Sequence, residues 1–342
     1  MEQITIKEIA KICKVGVSTV SRAINNHPDI NPDTKKLIMD TIREYNYVPN
    51  NSARNLKRVE SNTIAILAKG IENPLFGRMI HIIEQEVMER NYLCVLQQVE
   101  EQENEIEVAL RIEKEKRLKG IVFMGGASHP KADLLRQLTV PYIIMTVNAV
   151  MDEGLDQYGI VAVDDEKESY RIVDYLCSCG HKRIALLTAY AHDTSIGKLR
   201  LNGYERALRD HGIFYDEQLV VPMDVREKVY TMKNGYMQTQ KLLESGVPFT
   251  AIYAISDTLA VGACKAVFDA GLNVPGDISV VGFDGLDLAK YYQPSITTIE
   301  QPAGEMAVEG TKMLFELIRD KAGHKQHIFE ASLLKGQSVR TL

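Results

Sequence analysis

Residues 5–25 read TIKEIAKICKVGVSTVSRAIN, and this stretch decides how the N-terminal part of the chain folds. Thr5 followed three residues later by Glu8 is a capping box, the signature of a helix N-terminus. Apolar residues then recur at helical spacing, residues 14–16 form a turn, and residues 17–24 predict a second helix. Two short helices joined by a tight turn are typical of a helix-turn-helix DNA reader.

The second helix is expected to bury Val20 and Ile24 and to leave a polar face outward. An arginine can bridge the O6 and N7 acceptors of guanine, and serine or asparagine can pair more loosely with base edges. We predict that this face enters the major groove. The alternative is a solvated helix face, which the paired helices and the tight turn disfavour. The DNA contacts predicted in this part are Thr5, Val17, Ser18, Thr19, Ser21, Arg22 and Asn25.

A third helix is predicted to begin after Asn31, a cap residue followed by Pro32 at the first helical position. The stretch NNSARNLKR at 50–58 follows it. This stretch is too short to fold alone but could become helical when paired with a second copy on DNA. Leu56 would then be a wedge between base steps in the minor groove; the alternative is a flexible basic linker. The predicted DNA contacts here are Tyr47, Asn50, Ala53, Arg54 and Leu56.

The charge distribution fits DNA contact at one end of the chain. The 342 residues carry a formal net charge of −6. Residues 1–60 hold ten Lys and Arg against seven Asp and Glu, which leaves 30 against 39 for the remainder. A basic head on an acidic body suits a protein that binds nucleic acid through its head; the alternative is a chance imbalance of three charges.

Several classes of protein are disfavoured. The first twenty residues lack the apolar core of a signal peptide, and no run of about 18 apolar residues predicts a membrane span. The five cysteines are scattered and are expected to be free thiols. We expect a cytoplasmic protein without a membrane segment, metal or cofactor. An enzyme on this kind of sheet would need a phosphate loop or paired catalytic groups, and neither motif is present.

From Asn62 onward, short apolar runs alternate with amphipathic helical segments, a pattern typical of parallel sheets covered on both faces. Nine runs over this length favour two doubly wound lobes, although the pattern separates them poorly from a barrel of eight strands. The predicted strands are 63–68, 93–99, 120–124, 142–146, 159–163, 184–188, 219–222, 251–255 and 279–283.

Ligands of open α/β sheets bind beyond the carboxyl ends of the strands, so residues just after the strands are candidates. A ligand with many hydroxyl groups needs carboxylates, an arginine donor and an aromatic face, which Asp284, Arg200 and Phe76 supply. The alternatives are helix capping for Asp284, a helix N-terminal charge for Asp257 and core packing for Phe76. The predicted effector-binding residues are Asn73, Phe76, Asn148, Arg200, Ser256, Asp257 and Asp284.

Sequence motifs in both parts of the chain resemble the LacI/GalR family of bacterial repressors. In the head these are residues 5–10, TIKEIA, residues 17–25, VSTVSRAIN, and residues 47–50, YVPN; in the body they are residues 180–184, GHKRI, residues 200–204, RLNGY, residues 280–284, VVGFD, and residues 297–302, TTIEQP. The resemblance implies that Val17, Ser18 and Arg22 read bases and that Ala53 and Leu56 make the hinge contacts. The chain departs from the family pattern where Gly16 occupies the usual serine cap.

The resemblance also implies a fold and a division into domains. The expected class is α + α/β, with a helix-turn-helix head (1–49), a hinge helix and linker (50–61), and a type I periplasmic-binding-protein-like body (62–342). Lobe one is expected at about 62–162 plus 294–322, and lobe two at about 163–293 plus 323–342. Three crossovers join the lobes, and an effector is expected in the cleft between them.

The resulting hypothesis is a transcriptional repressor that binds pseudopalindromic, double-stranded operator DNA as a homodimer. A small carbohydrate-like effector in the cleft would control its affinity for the operator. Two alternatives stay open at this point. One is a global catabolite-type regulator controlled by a phosphoprotein partner, and the other is a sugar-binding protein without a regulatory role.

Overall fold

The computed structural model describes residues 5–24, 27, 29–45, 62–190, 195–320 and 323–342. The chain divides into two compact units, Met1–Ser61 and Asn62–Leu342. Within the described ranges, no helix has both the length and the apolar character that crossing a membrane requires.

In the described part of the first unit there are three short helices, α1 (Ile6–Ile12), α2 (Val17–Ile24) and α3 (Pro32–Glu44). The predicted capping box is present at Thr5, whose backbone N–H donates to the Glu8 carboxylate at 2.6 Å. The Asn31 side chain caps α3 by accepting bonds from the two backbone N–H groups that follow Pro32. The helices enclose a small core of Ile9, Ala10, Cys13, Val20, Ala23 and Ile38.

The second unit alternates strands and helices along the chain. Its elements are β1 (Thr63–Lys69), α4 (Pro74–Glu89), β2 (Leu93–Val99), α5 (Glu105–Lys116), β3 (Gly120–Met124), α6 (Ala132–Leu135), β4 (Tyr142–Met145), β5 (Tyr158–Val163), α7 (Asp165–Ser178), β6 (Ile184–Thr188), α8 (Ile196–Asp210), β7 (Val220–Pro222), α9 (Met232–Glu244), β8 (Ala251–Ala254), α10 (Asp257–Asp269), β9 (Ser279–Asp284), α11 (Asp287–Lys290), β10 (Thr297–Glu300), α12 (Ala303–Asp320), β11 (His324–Phe329) and β12 (Ser332–Leu334).

These strands form two six-stranded sheets. The first has the order β11-β5-β4-β3-β1-β2, and all its strands are parallel. The second has the order β12-β10-β9-β8-β6-β7 and is parallel except for β12. Central strands such as β3 and β8 are buried along their whole length, as expected for parallel sheets with helices on both faces. The prediction of two doubly wound lobes is confirmed, and the barrel is excluded.

The strand pairing corrects the predicted division of the C-terminal part between the lobes. Strand β10 pairs with β9 in the second sheet, whereas β11 pairs with β5 in the first. The chain therefore crosses between β10 and α12 and again between β11 and β12. The prediction gave β10 to lobe one and β11 to lobe two, and both assignments are wrong. Strand β10 has only four residues, and β11 lies at a half-exposed edge of its sheet. Neither strand therefore has the apolar run that marked the central strands. Below, lobe one is the first sheet with α4–α6 and α12, and lobe two is the second sheet with α7–α11.

Close packing between α7 and α8 depends on Gly203. A Cβ added at this position would lie 2.3 Å from the Glu166 carbonyl oxygen and 2.8 Å from the Ser169 Cβ. Neither a backbone oxygen nor a neighbouring Cβ can move without shifting a helix. By contrast, Gly77 in α4 has no atom within 4 Å of such a Cβ.

We expect Gly203→Ala to destabilise the body by about 1–3 kcal/mol, the usual cost of overpacking. Gly77→Ala is the matched control, and helix propensity predicts a gain of up to about 1 kcal/mol for it. Urea unfolding followed by circular dichroism measures both. Equal stability of the two variants would contradict the close approach of α7 and α8.

Candidate DNA-reading helix and effector cleft

Helix α2 presents the predicted base readers on one face. Val17, Ser18, Ser21 and Arg22 are exposed, Thr19 is half-buried, and Val20 on the opposite face is fully buried. The 3.6-residue repeat therefore separates a core face from a face that a DNA groove can reach. Six predicted DNA contacts lie outside the described residues and stay predictions: Asn25, Tyr47, Asn50, Ala53, Arg54 and Leu56.

The guanidinium of Arg22 is held by a neighbouring carboxylate. Its Nη1 lies 3.0 Å from the Asp29 Oδ2, and the His27 Nδ1 lies 2.6 Å from the other oxygen of Asp29. All three side chains are about half-exposed, and such pairs contribute only about 0–1 kcal/mol. The edge of a guanine can therefore replace Asp29 as the partner of Arg22 at a small cost in free energy. In the absence of DNA, the ion pair with Asp29 restricts the directions in which the Arg22 side chain points.

A cavity of about 510 Å³ lies between the two lobes. Lobe one contributes the ends of β1 to β4, and lobe two contributes the segments after β6 and β7. The lining residues are Lys69, Phe76, Glu101, Gln102, Gly125, Gly126, Ala127, Val147, Tyr190, Ser195, Ile196, Val225 and Tyr230. Of the seven predicted effector-binding residues, this set contains Phe76.

Arg200 lies in a buried cluster of charged groups. Its Nε donates to the Asp165 Oδ1 at 2.9 Å, and its Nη1 donates to the backbone carbonyl of Ile255. The guanidinium carbon stands 3.6 Å from the centre of the Phe283 ring, a cation–π contact. The Nη2 is 3.9 Å from the Asp284 Oδ1. Arg200 thus pairs mainly with Asp165, a residue absent from the predicted effector-binding set.

Asp284 connects the lobes. One of its carboxylate oxygens accepts a bond of 2.9 Å from the Asn73 side chain of lobe one. The other accepts a bond of 2.8 Å from Gln301, in the segment that leads from β10 to α12. Asn73 also caps α4, because its Oδ1 accepts a bond from the Leu75 backbone N–H. This places two of the predicted effector-binding residues in direct contact across the cleft.

The other three predicted residues have internal partners. The Ser256 hydroxyl caps α10 by accepting a bond from the Leu259 backbone N–H. The Asp257 carboxylate accepts bonds from the Thr298 hydroxyl at 2.6 Å and from the Leu286 backbone N–H at 2.7 Å. Asn148 accepts a bond from Gln326 on β11. The structure does not bring these three side chains to the cavity wall.

Burial shapes the protonation of the cluster. Desolvation raises the pKa of Asp165 to about 6, although Arg200 counteracts it. Desolvation also raises the pKa values of Asp257 and Asp284 above their ordinary value. The guanidinium of Arg200 keeps its proton, because the neighbouring carboxylates Asp165 and Asp284 outweigh the cost of burial and raise its pKa. One cation thus shares a buried site with three carboxylates.

Most of the cavity wall was missed by sequence reasoning, yet a signal was present. Lys69 ends β1, Glu101 follows β2, Gly125 follows β3, Val147 follows β4 and Tyr190 follows β6. The rule that ligands bind beyond the carboxyl ends of parallel strands therefore applies to each of them.

Comparisons with known proteins agree with both parts of this architecture. Residues 5–50 match the family described as bacterial regulatory proteins, lacI family. Residues 173–339 match a periplasmic binding protein-like domain. Together the matches cover the head and most of the second lobe.

Similar proteins are known along the whole length. The chain is 39% identical over 335 residues to the HTH-type transcriptional regulator MalR of Clostridium butyricum, covering 97% of this chain and 98% of the relative. The complex of the transcriptional regulator CelR with cellobiose has a TM-score of 0.69 and 25% identity over 98% of this chain and all of CelR. The lac repressor dimer bound to operator shares the fold, with a TM-score of 0.72 and 23% identity over 99% of this chain and all of that one. The chain therefore belongs to the LacI family of helix-turn-helix transcriptional regulators.

Proposed function

We propose that a sugar bound in the interlobe cleft changes the affinity of this regulator for its operator. The observation that carries the proposal is the hydrogen bond between Asn73 and Asp284, which joins the two lobes. Asn73 caps helix α4, and Phe76 of the same helix lines the cavity. A ligand in the cavity is therefore positioned to alter the contact that holds the lobes together.

The cluster has the chemistry to bind hydroxyl groups. Asp284 is an acceptor, Arg200 a donor, and Phe76 offers an apolar face to the carbon side of a sugar ring. A sugar hydroxyl that donates to Asp284 can take the place of the Asn73 amide without leaving the carboxylate unpaired. The structure of CelR with cellobiose supports a sugar as the class of ligand.

The ligand acts by favouring one arrangement of the lobes over another. It can shift that equilibrium only by its difference in affinity for the two arrangements. In the proposal, the arrangement of the lobes sets the spacing of two copies of residues 50–58, and these segments pair and insert Leu56 only at the right spacing. The exposed face of α2 reads the bases of each half-site.

A homodimer fits the exposed surface of lobe one. Edge strand β2 exposes 67% of Leu93 and 42% of Leu96, and Met88 at the end of the neighbouring α4 is also exposed. Large apolar side chains on an open sheet edge are usually covered by a partner. We propose that a second copy of the chain covers them.

If Arg22 reads a base, its replacement should lower the affinity for the operator more than the affinity for random-sequence DNA. Arg22→Lys keeps the positive charge but loses the bidentate geometry, so operator affinity should fall by about 1–3 kcal/mol. Affinity for random-sequence duplex should change little, because phosphate attraction depends mainly on charge. Fluorescence anisotropy with an operator selected from random duplexes measures both. An equal loss on both duplexes would mean that Arg22 contacts phosphate and does not read a base.

The cleft assignment predicts that Asp284→Asn weakens the response of operator binding to sugars. The variant keeps the size of the side chain but removes the charge that accepts hydroxyl bonds, and hydrogen bonds to charged groups contribute about 1.5–3 kcal/mol. Sugar titrations of the protein–operator complex measure the response. Asp287, three residues away, is exposed. The Asp287→Asn variant is the control and should respond to sugars like the unsubstituted protein.

A thermal melt of each variant separates loss of response from loss of folding. If Asp284→Asn melts early, Phe76→Leu provides the second measurement, since it removes the aromatic face and no buried charge. A full response in every folded cleft variant would contradict the assignment.

The proposed dimer surface predicts that Leu96→Lys produces monomers. A lysine pair at a twofold contact adds repulsion and removes buried apolar area. Sedimentation velocity should show a lower mass and anisotropy a weaker operator affinity. Phe214→Lys is the control, because Phe214 is 89% exposed on lobe two. A dimeric Leu96→Lys variant with unchanged affinity would place the interface elsewhere.

A further inference from the structure

A second, smaller compartment lies beside the cavity between the lobes. This outer compartment has a volume of about 110 Å³, against about 510 Å³ for the inner one. The ion pair between Glu72 and Lys228, which connects the lobes, lies in its wall. Because the two compartments share wall residues, they lie next to each other in the cleft. The shared residues are Glu101, Gln102, Tyr190 and Val225.

The volume of the cleft exceeds what one sugar ring needs. The inner compartment alone is several times the volume of a six-membered ring and lies within the range of about 300–1,000 Å³ typical of sites for larger organic ligands. A single ring would leave much of the cleft filled with water. Surface buried by a second ring would add to affinity at no further cost in translational freedom.

The inner compartment is built for the flat face of a ring. Phe76, Tyr190 and Tyr230 are its aromatic lining residues, and the loop of Gly125 and Gly126 after β3 also lies in its wall. A Cβ at Gly125 would lie 2.6 Å from the Lys69 carbonyl oxygen and 3.5 Å from the Phe76 ring. With φ values of +74° and +109°, both positions also favour glycine. The absence of side chains here leaves the Phe76 face open to a ligand.

The outer compartment is built for hydroxyl groups. Gln98 and Gln102 supply amide donors and acceptors, and Glu100 and Glu101 supply carboxylate acceptors. The side chains of Gln98 and Glu100 already form a hydrogen bond of 3.2 Å. Amides and carboxylates at an open cleft edge pair well with the several hydroxyls of a second sugar ring.

The charges of the cleft disfavour an anionic ligand. Among the described residues of the inner wall, Lys69 is the one cation, and its Nζ is 3.6 Å from the Glu105 carboxylate. In the outer wall, Arg226 is paired with Asp224 at 2.6 Å, and Lys228 is paired with Glu72. A phosphate would thus meet cations that are already paired with carboxylates. The negative charges of the phosphate and of the carboxylates in the wall would repel each other. Phosphate recognition commonly uses arginine or lysine side chains as partners of the phosphate oxygens.

We propose that the effector is a neutral, linear oligosaccharide of at least two rings. One ring lies between Phe76 and Tyr230 in the inner compartment, and the next extends past Glu101 and Tyr190 into the outer compartment. This inference rests on the proposed function, because it gives the length and charge of the sugar that the cleft binds.

Isothermal titration of the full-length protein with a series of sugars tests the proposal. The series is glucose, ribose, α- and β-linked glucose disaccharides and trisaccharides, and glucose 6-phosphate. We expect at least one disaccharide to bind about tenfold or more tightly than either monosaccharide, and glucose 6-phosphate to bind no more tightly than glucose. A monosaccharide that binds as tightly as every disaccharide, or a phosphosugar that binds best, would overturn the proposal and leave a sugar-responsive regulator in place.

A pair of variants locates the second ring. Gln98→Trp narrows the outer compartment and should raise the dissociation constant of the preferred disaccharide by about tenfold or more, with no comparable change for glucose. Gln97→Trp, on the opposite face of β2, is the matched control. Equal disaccharide affinity in the two variants would remove the second ring from this compartment. If no sugar of any length binds, while operator binding is intact, the proposed sugar effector itself fails.

Discussion

The arrangement of the two lobes depends on the hydrogen bonds of the buried Asp284 carboxylate. This carboxylate accepts bonds from Asn73 of lobe one and from Gln301 at a crossover, and it stands near Arg200 of lobe two. A buried charge that loses a partner costs several kilocalories per mole in a dry site. The two lobes therefore cannot separate freely: either the polar partners of Asp284 stay in place, or water or a ligand takes their place. This requirement links the occupancy of the cleft to the arrangement of the lobes.

The hydrogen bonds of the charged cluster indicate how large the coupling free energy between cleft occupancy and lobe arrangement can be. Arg200 pairs with Asp165 and lies near Asp284, whereas Asp257 has other partners. Desolvation raises the pKa of all three carboxyl groups. Asp257 is satisfied by Thr298 and a backbone N–H, so it acts as part of the scaffold. Asp284 is the member whose partners come from both lobes. A hydrogen bond to a charged group is worth about 1.5–3 kcal/mol, which is the usual size of an allosteric coupling energy, about 1–3 kcal/mol.

Local patterns in the sequence predicted the elements well and the long-range pairings less well. Helix α2 and strands β2, β3 and β6 have the predicted bounds, because caps, apolar runs and turn residues are local signals. Which lobe receives β10 and β11 depends on pairings with β9 and β5, and no local pattern encodes them. The role of Asp165 was missed for a similar reason. As the first residue of α7, it reads as a helix N-terminal charge, and only the fold brings it within 2.9 Å of Arg200.

The small size of the head bears on the proposed dimer. Among the described residues of the head, a core of six buried side chains supports the short helix α2, and a single DNA-binding module of this size buries only about 600–1,000 Å² on DNA. In the proposed dimer, two half-sites are occupied together, one by each protomer. In such a dimer a modest coupling counts twice. If each effector shifts the equilibrium by about 1.4 kcal/mol, or tenfold, two bound effectors shift operator affinity about a hundredfold. A cleft that changes a single charged hydrogen bond in each protomer is then sufficient for regulation.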